Sequence, residues 1–183
     1  RAEAPPAPSQ ARRRRRGPQR RMTGVVAAWI GLGANLGDAA GALKAAVQAL
    51  AGLPRCSGLR VSATYRSAPI ESSGPDYLNA VAVLDTTLGA HELLAHLQAI
   101  EAAHGRERPY RNAPRTLDLD LLLYGDAQID TSTLVVPHPR LHQRAFVLRP
   151  MSELAPELHI PVLGSLAALL PAVADQRIER LDA

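Results

Sequence analysis

The sequence contains little cysteine and few aromatic residues. Cys56 is the single cysteine among 183 residues, and Phe, Tyr and Trp together make up 3% of the chain. One cysteine cannot form an intramolecular disulfide and is typical of a reducing compartment, so we expect a cytoplasmic location. Because aromatic rings are scarce, Ala, Leu and Val must fill the core. A hydrophobic fraction of 46% is sufficient for one globular domain.

The chain also lacks a long apolar run. No stretch approaches the ~18 apolar residues that a membrane span requires, so we predict no membrane segment. Arginines ahead of VVAAWIGLGA give the outline of an export signal. However, Gly31 and Gly33 interrupt this apolar run and a helix start follows it, so the export interpretation is not favoured.

Net positive charge is confined to the first 21 residues. Residues 1–21 contain eight arginines and one acid, whereas residues 22–183 contain 13 basic and 16 acidic side chains. The N-terminal segment is rich in Arg, Pro and Ala and has no apolar periodicity, which predicts a disordered tail followed by one domain over 22–183. Its arginine run leaves open a contact with nucleic-acid phosphates, but a solvated extension is the simpler interpretation.

The apolar pattern of residues 22–183 alternates between strand and helix periods. Asp38 can cap the first helix, and Gly52 can end it. The order βαββαβ predicts an α+β fold, namely a ferredoxin-like antiparallel sheet with helices packed on it and C-terminal helical additions. We expect strands over 25–32, 59–67, 77–86 and within 115–126, and helices over 38–51, 90–104, 150–156 and 165–174.

The glycines of IGLGANLG do not form a dinucleotide-binding motif. Their spacing is G-x-G-x-x-x-G, one residue longer than that fingerprint, and no acidic residue follows between Asp38 and Glu71. We therefore predict a tight turn here, in which the backbone approaches a ligand or a neighbouring strand.

Two aspartates interrupt the apolar strand RTLDLDLLLYGD, residues 115–126. Because side chains of a strand point to alternate faces, Asp118 and Asp120 share one face, with their Cα atoms about 7 Å apart. Carboxylates this close repel each other unless a cation lies between them, which suggests a divalent-metal site. On this stretch alone, a solvated strand face remains the alternative.

Seven of the twelve arginines outside the tail fall into two short windows. Arginine presents forked donors that match phosphate oxygens, and acidic metal ligands with converging arginines are the groups that phosphoryl transfer requires. We therefore predict an enzyme that acts on a nucleotide polyphosphate. The first window holds Arg106, Arg108, Arg111 and Arg115, and the second holds Arg140, Arg144 and Arg149.

Three blocks of sequence resemble one enzyme family. YRSAPIESSGPDYLNAV, GRERPYRNAPRTLDLDLLLYGD and VPHPRLHQRAFVLRPMSELAPEL occur in order, over roughly residues 25–160, as in the 6-hydroxymethyl-7,8-dihydropterin pyrophosphokinases of folate biosynthesis. The resemblance implies an enzyme that transfers the β,γ-pyrophosphate of ATP to the hydroxymethyl oxygen of the pterin and releases AMP. Its partners would then be small-molecule substrates, and we expect a monomer.

The resemblance also implies site residues, position by position. Asp118 and Asp120 would hold two Mg²⁺ ions, ATP would be the co-substrate, and Arg106, Arg115 and Asp120 would act in catalysis. The loops 67–76 and 105–114 would close over the substrates. ATP contacts are implied for Gln98, Glu101, Arg108, Arg115, His138 and Arg144, and pterin contacts for Ser67, Ala68, Ile70, Tyr77, Asn79 and Phe146.

Two other functions use some of the same sequence features. A metal-dependent nucleotidyltransferase could use the same pair of aspartates, and formation of AMP from ATP and the reduced pterin would separate the two enzymes. A nucleic-acid-binding module usually presents aromatic side chains among basic residues on its sheet. The few aromatics and the excess of acids in residues 22–183 argue against that module.

Overall fold

The computed structural model describes residues 24–69, 74–104 and 116–181. The tail predicted for residues 1–21 and the loop 105–114 lie outside these residues, as does part of the loop 67–76. Within them, no helix is long and apolar enough to cross a membrane.

The first two thirds of the described chain contain five strands and two helices in the order βαβββαβ, and shorter elements follow. The strands are β1 (Val26–Ala34), β2 (Cys56–Val61), β3 (Thr64–Ser67), β4 (Tyr77–Thr86), β5 (Asp118–Tyr124), β6 (Ile129–Asp130), β7 (Val135–Val136), β8 (His159–Ile160), β9 (Gly164–Ser165) and β10 (Ile178–Leu181). The helices are α1 (Ala39–Ala51), α2 (Ala90–Ala103), α3 (Ala145–Leu154) and α4 (Leu166–Leu169), with 3-10 helices at Leu141–Gln143 and Leu170–Val173.

The main sheet is antiparallel throughout and has the order β10-β3-β4-β1-β5, with β2 also paired to β4. With β2 and β3 taken as two parts of one strand, β1 to β5 follow the βαββαβ order of ferredoxin-like folds. The predicted α+β fold with an antiparallel sheet is therefore confirmed.

The single strand predicted over 59–67 is wrong, because it is divided into β2 and β3. Ser62 lies at the division, where its backbone N–H donates to the carbonyl of Val81 at 2.9 Å. Its hydroxyl in turn accepts from the N–H of Val81 at 3.0 Å. A side chain that replaces a backbone partner in this way interrupts the regular ladder between neighbouring strands.

The first helix begins where the sequence predicts. The Asp38 carboxylate accepts from the N–H of Gly41 at 2.9 Å, and Gly52 ends the helix. The glycine-rich turn predicted before it is misplaced, however, since β1 continues through Gly33 to Ala34. Gly31 and Gly33 therefore belong to a strand, and their role must be sought on the face of the sheet.

Each face of the sheet packs against its own apolar cluster. Side chains alternate along β1, so Ile30 faces the cluster with α1 and α2, whereas Trp29 faces the cluster with α3 and the C-terminal elements. On β5, Leu119 and Leu121 belong to the first cluster and Leu122 to the second. Asp118 and Asp120 consequently emerge on the face that α3 covers.

The C-terminal additions differ in detail from the prediction. The helix expected over 150–156 runs from Ala145 to Leu154 with Pro150 inside it. The helix expected over 165–174 is a single turn that changes to a 3-10 helix with Pro171 in its first turn, which fits the missing N–H of proline. Strand β10 was not predicted, because its four residues IERL give only a short and partly charged pattern.

Candidate active site

A pocket of about 390 Å³ opens on the face of the sheet that α3 covers. Its floor is formed by β1, β4 and β5, and one wall is formed by the start of α3 and the 3-10 helix before it. The pocket is lined by Gly31, Leu32, Gly33, Ser67, Ala68, Tyr77, Asn79, Ala80, Asp118, Asp120, Leu122, Arg140, Gln143, Arg144, Phe146 and Val147.

A row of paired residues crosses the pocket floor. Gly33 of β1 pairs with Asp118 of β5 on one side and with Asn79 of β4 on the other. Neighbouring strands lie about 4.8 Å apart, so Asp118 and Asn79 are separated by about 10 Å. Because Gly33 has no side chain, the floor between the carboxylate and the amide stays open. One ligand can therefore lie flat across β1 and reach both groups.

The aspartate pair lies in this pocket together with an arginine. Asp118 and Asp120 are both half-exposed and line the pocket, which confirms that they share one face. Nη1 of Arg144 is 4.0 Å from Oδ2 of Asp120. Negative and positive groups thus stand side by side at one end of the floor, as the transfer of a charged group requires.

Within residues 24–69, 74–104 and 116–181, no group of three or more His, Cys, Asp or Glu side chains lies together. A closed protein cage for a metal is therefore not found in that part of the chain. Two carboxylates on one edge of a pocket nevertheless fit Mg²⁺, which usually keeps several waters and takes other ligands from substrate phosphates.

Asn79 is buried and its amide is oriented by a specific partner. Nδ2 donates to Oγ of Ser67 at 2.9 Å, and the side chain is 4% exposed. This hydrogen bond fixes the orientation of the amide, so that Oδ1 lies on the side of Gly33, 3.5 Å from where a Cβ would stand. Oδ1 is thereby placed to accept a hydrogen bond from a ligand above Gly33.

Phe146 and Arg144 form the wall opposite the sheet. The guanidinium carbon of Arg144 lies 5.5 Å from the centre of the Phe146 ring, a distance typical of a cation–π contact. The ring also packs against the second apolar cluster while it lines the pocket. The chain's single phenylalanine therefore offers a flat apolar surface to a ligand and holds a cation beside it.

Glu101 lies beneath the pocket rather than in it. Its side chain is 1% exposed, and Oε1 accepts from the backbone N–H of Leu119 at 2.8 Å. Leu119 stands between Asp118 and Asp120, so this buried carboxylate holds the segment of β5 that carries both. This buried hydrogen bond fixes the backbone between the two aspartates.

His138 stands next to the pocket in its neutral form. Burial, and then the positive charge of Arg144, lower its pKa from 6.5 to about 4, although Asp118 acts in the opposite direction. Nδ1 accepts from the N–H of Arg140 at 3.1 Å. The proton of the neutral ring is therefore on Nε2, which can donate to an acceptor such as a phosphate oxygen.

Most of the residues implied for pterin or metal binding meet in one place. The pocket contains Ser67, Ala68, Tyr77, Asn79, Asp118, Asp120 and Phe146 from those two sets, together with Arg144 from the set implied for ATP. Gln98 is exposed on α2, and neither it nor His138 is among the lining residues. Ile70, Arg106, Arg108 and Arg115 lie outside the described residues.

Several lining residues were not predicted. Arg140 and Gln143 belong to the 140–147 wall, and Arg140 was noticed only as part of an arginine window. The predicted strand 25–32 includes Gly31 but leaves Gly33 to a turn, although their spacing of two residues is the period of one strand face. That spacing, next to a strand of apolar residues, is the signal that could have identified them.

The fold and the site together define a class of protein. An antiparallel α+β sheet with a carboxylate pair, an arginine and an aromatic wall around one pocket fits a transferase that acts on phosphorylated substrates. The family model for 7,8-dihydro-6-hydroxymethylpterin-pyrophosphokinase (HPPK) matches residues 29–156. The chain belongs to this family.

Individual relatives agree with the family. The 2-amino-4-hydroxy-6-hydroxymethyldihydropteridine pyrophosphokinase of Pseudomonas aeruginosa is 44% identical over 154 residues, which cover 84% of this chain and 95% of that protein. The enzyme of the same name from Haemophilus influenzae is 38% identical over 159 residues, or 86% of this chain and 99% of that protein.

Solved structures support the fold. The HPPK-DHPS protein of Plasmodium falciparum with pterin and p-hydroxybenzoate matches with a TM-score of 0.67 and 13% identity. The match covers 88% of this chain and 47% of that one, so this chain spans about half the length of that solved chain. At this identity, the similarity is one of fold alone.

Proposed function

We propose that this chain transfers the β,γ-pyrophosphoryl group of ATP to the hydroxymethyl oxygen of 6-hydroxymethyl-7,8-dihydropterin. The products would be AMP and the pterin diphosphate, in a step of tetrahydrofolate biosynthesis. Family membership supports this proposal, and the observation that carries it is the row Asp118–Gly33–Asn79 across the pocket floor. In this row the Asn79 amide can bind a polar heterocycle, and the Asp118 carboxylate can bind a cation that accompanies the phosphates. The two groups are about 10 Å apart in one pocket, because two strand spacings separate them.

The Asn79 end of the pocket would bind the pterin. A flat heteroaromatic ring is held by aromatic or apolar faces and by groups that match its polar edge. Tyr77 and Phe146 line the pocket and can supply the faces, and Oδ1 of Asn79 can accept from an N–H of the ring. Ser67 would act by orienting Asn79, while Ala68 and Ile70 would complete the wall.

The aspartate end would bind the triphosphate. Asp118 and Asp120 would hold two Mg²⁺ ions, which would neutralise part of the negative charge of the phosphates. Arg144 is beside Asp120 and can contact phosphate oxygens. Nε2 of His138 can donate to the same group, and Glu101 would act indirectly by fixing the strand between the two aspartates. Further ATP contacts are proposed for Gln98, Arg106, Arg108 and Arg115.

The reaction would be a direct displacement at the β-phosphorus. The hydroxymethyl oxygen forms a bond to that phosphorus as its proton passes to solvent, the bond to the oxygen bridging to the α-phosphate breaks, and AMP leaves with the added negative charge. Arg144, with Arg106 and Arg115, would stabilise the charge on the transferring group. Side chains on rigid strands keep the two substrates in line, which is the main contribution that a protein makes to such a transfer.

The location and the assembly state are two further parts of the proposal. We propose that the protein acts in the cytoplasm as a monomer on small-molecule substrates, in keeping with the single cysteine and the metabolic reaction. Size-exclusion chromatography with light scattering at micromolar concentration would measure the assembly state, and a stable dimer would contradict the monomer.

The nucleotide products test the proposed function. Purified protein with ATP, Mg²⁺ and 6-hydroxymethyl-7,8-dihydropterin should form AMP, and omission of the pterin or chelation of the metal should stop the reaction. Nucleotides separated by ion-exchange chromatography would show the result. Formation of ADP, or of AMP without the pterin, would contradict the proposal, and release of free pyrophosphate would instead indicate a nucleotidyltransferase.

A further inference from the structure

A side chain outside the pocket holds one of its walls. Gln176 follows the 3-10 helix Leu170–Val173, and its amide makes two short hydrogen bonds to the segment before and at the start of α3. Oε1 accepts from the N–H of Ala145 at 2.9 Å, and Nε2 donates to the carbonyl of Gln143 at 2.8 Å. These two backbone groups flank Arg144.

Gln176 supplies a hydrogen-bond acceptor to the first turn of helix α3, which its N-cap side chain does not supply. The first N–H groups of a helix have no partner within the helix, and Arg144 at the N-cap position offers no side-chain hydrogen bond to them. Gln176 provides the missing acceptor from 31 residues further along the chain. Since the same amide also donates to the preceding carbonyl, it fixes the backbone on both sides of Arg144. Among side chains of this length only a carboxamide can donate and accept in this way.

Gln176 is itself well anchored. Its backbone N–H donates to the carbonyl of Val173 at 3.2 Å, and the residue is half-buried. Two residues later, Ile178 of β10 pairs with Ser67 of β3. One short C-terminal segment therefore supports two parts of the pocket, namely the β3 end with Ser67 and the wall with Arg144 and Phe146.

We propose that Gln176 is a positioning residue, which sets Arg144 in place for the transfer reaction. This inference rests on the proposed function. Arg144 must stand between Asp120 and the Phe146 ring, and a displacement of about 1 Å in a charged group can cost a large factor in rate. Loss of the amide leaves the 143–145 backbone free to shift, while the sheet and both apolar clusters keep their contacts.

Three variants test the proposal against a merely structural role. Gln176→Leu removes both hydrogen bonds at similar volume, and Gln176→Glu keeps the acceptor for Ala145 but loses the donor to Gln143. Ser165→Ala is the matched control, because it removes the cap of α4, where the hydroxyl accepts from Ala168, outside the pocket. Each protein is assayed for AMP formation well below its melting temperature, with kcat and both KM values measured.

We expect kcat to fall about tenfold in Gln176→Leu and about threefold in Gln176→Glu, with kcat unchanged in Ser165→Ala even though its melting temperature falls. In an Arg144→Ala background, Gln176→Leu should lower kcat by less than about twofold, because the group that it positions is gone. If Gln176→Leu does not fold, Gln176→Glu carries the test.

Unchanged kcat in the Gln176 variants, or a full tenfold loss that persists without Arg144, overturns the positioning role. A wild-type protein that forms no AMP overturns the proposed function instead. The two failures are therefore distinguishable.

Discussion

Asp118 and Asp120 owe their position to the period of a strand. Leucines at 117, 119 and 121 bury one face of β5, so the residues between them must face the pocket. This part of the site could be predicted because it depends only on neighbours in the sequence.

The two carboxylates should be indispensable for turnover but not for folding. Asp118→Asn or Asp120→Asn keeps the shape and removes the charge that would bind Mg²⁺, so kcat should fall at least about 10³-fold while the melting temperature stays near that of the wild type. Asp130→Asn, an exposed carboxylate on β6, serves as control and should be fully active. Near-normal AMP formation by either pocket variant would show that the metal assignment is wrong.

The low pKa of His138 should appear in the pH dependence of stability. Its folded pKa of about 4 lies below the ordinary value of 6.5, so the unfolded chain binds the proton more readily. The stability that the neutral ring contributes is therefore fully present above pH 6.5 and is lost as the pH falls towards 4. The loss should be on the order of 2 kcal/mol in the free energy of unfolding.

Urea unfolding of the wild type and of His138→Asn between pH 7 and pH 4.5 checks this expectation. The wild type should lose stability more steeply than the variant, and His159→Asn, at an exposed site, should follow the wild type. Parallel curves for the wild type and His138→Asn would contradict the shifted pKa.

The burial of Glu101 could not be predicted from the sequence. The resemblance implies that Glu101 contacts ATP. In the structure, however, the Glu101 side chain is buried and accepts a hydrogen bond from the N–H of Leu119, 18 residues away. An acid on a helix normally points to solvent, and only the packing of α2 against β5 turns it inwards. Its direct role in ATP binding stays a prediction.

Strand β1 leaves room for a ligand in the site, because Gly33 has no side chain. Gly33 leaves the floor open, and a Cβ added there would stand at ordinary contact distance, 3.5 Å, from Oδ1 of Asn79. Gly33→Ala should therefore fold, and should be as stable or slightly more stable because alanine costs less backbone entropy in a strand. The added methyl would occupy the place of the pterin, and its KM should rise about tenfold.

Steady-state kinetics with the pterin varied at saturating ATP measure this effect. Gly24→Ala is the control, since nothing lies within 4 Å of a Cβ at that position, and its KM should be unchanged. An unaltered KM for the pterin in Gly33→Ala would mean that the ligand does not lie across β1.

Helices α1 and α3 differ in how far sequence predicts them. The cap of α1 is Asp38, three residues before the N–H that it accepts from, so the start could be predicted locally. The start of α3 at Ala145 depends on Gln176, 31 residues later, and no local pattern contains that information. The division of the predicted strand 59–67 likewise depends on Ser62 and its partner Val81 across the sheet.

At the scale of the whole molecule, the net charge differs between residues 1–21 and the rest of the chain. Residues 1–21 carry eight arginines and one acid, whereas acidic side chains outnumber basic ones over residues 22–183, and the pocket is formed by residues from Gly31 onwards. Deletion of residues 1–21 should therefore leave kcat and both KM values within about twofold of those of the full chain, as expected for a solvated extension. A large loss of kcat in the truncated protein would contradict a dispensable tail and would place those residues near the substrates.

The site as a whole combines β1, β3, β4, β5 and the start of α3, which the fold brings together from residues 31 to 147. Local patterns predicted each strand that forms the floor. They also singled out Arg140 and Arg144 as part of an arginine window, but they did not predict the start of α3 at Ala145, which is held by contacts with the C-terminal segment.

The fate of the two terminal phosphorus atoms of ATP tests the central claim most directly. Phosphorus-31 NMR of a reaction with ATP, Mg²⁺ and 6-hydroxymethyl-7,8-dihydropterin follows each of them. The account predicts that both the β- and γ-phosphorus appear, still joined, on the pterin while the α-phosphorus remains in AMP. Transfer of the γ-phosphorus alone with ADP as product, or attachment of the α-phosphorus to the pterin with free pyrophosphate, would contradict it.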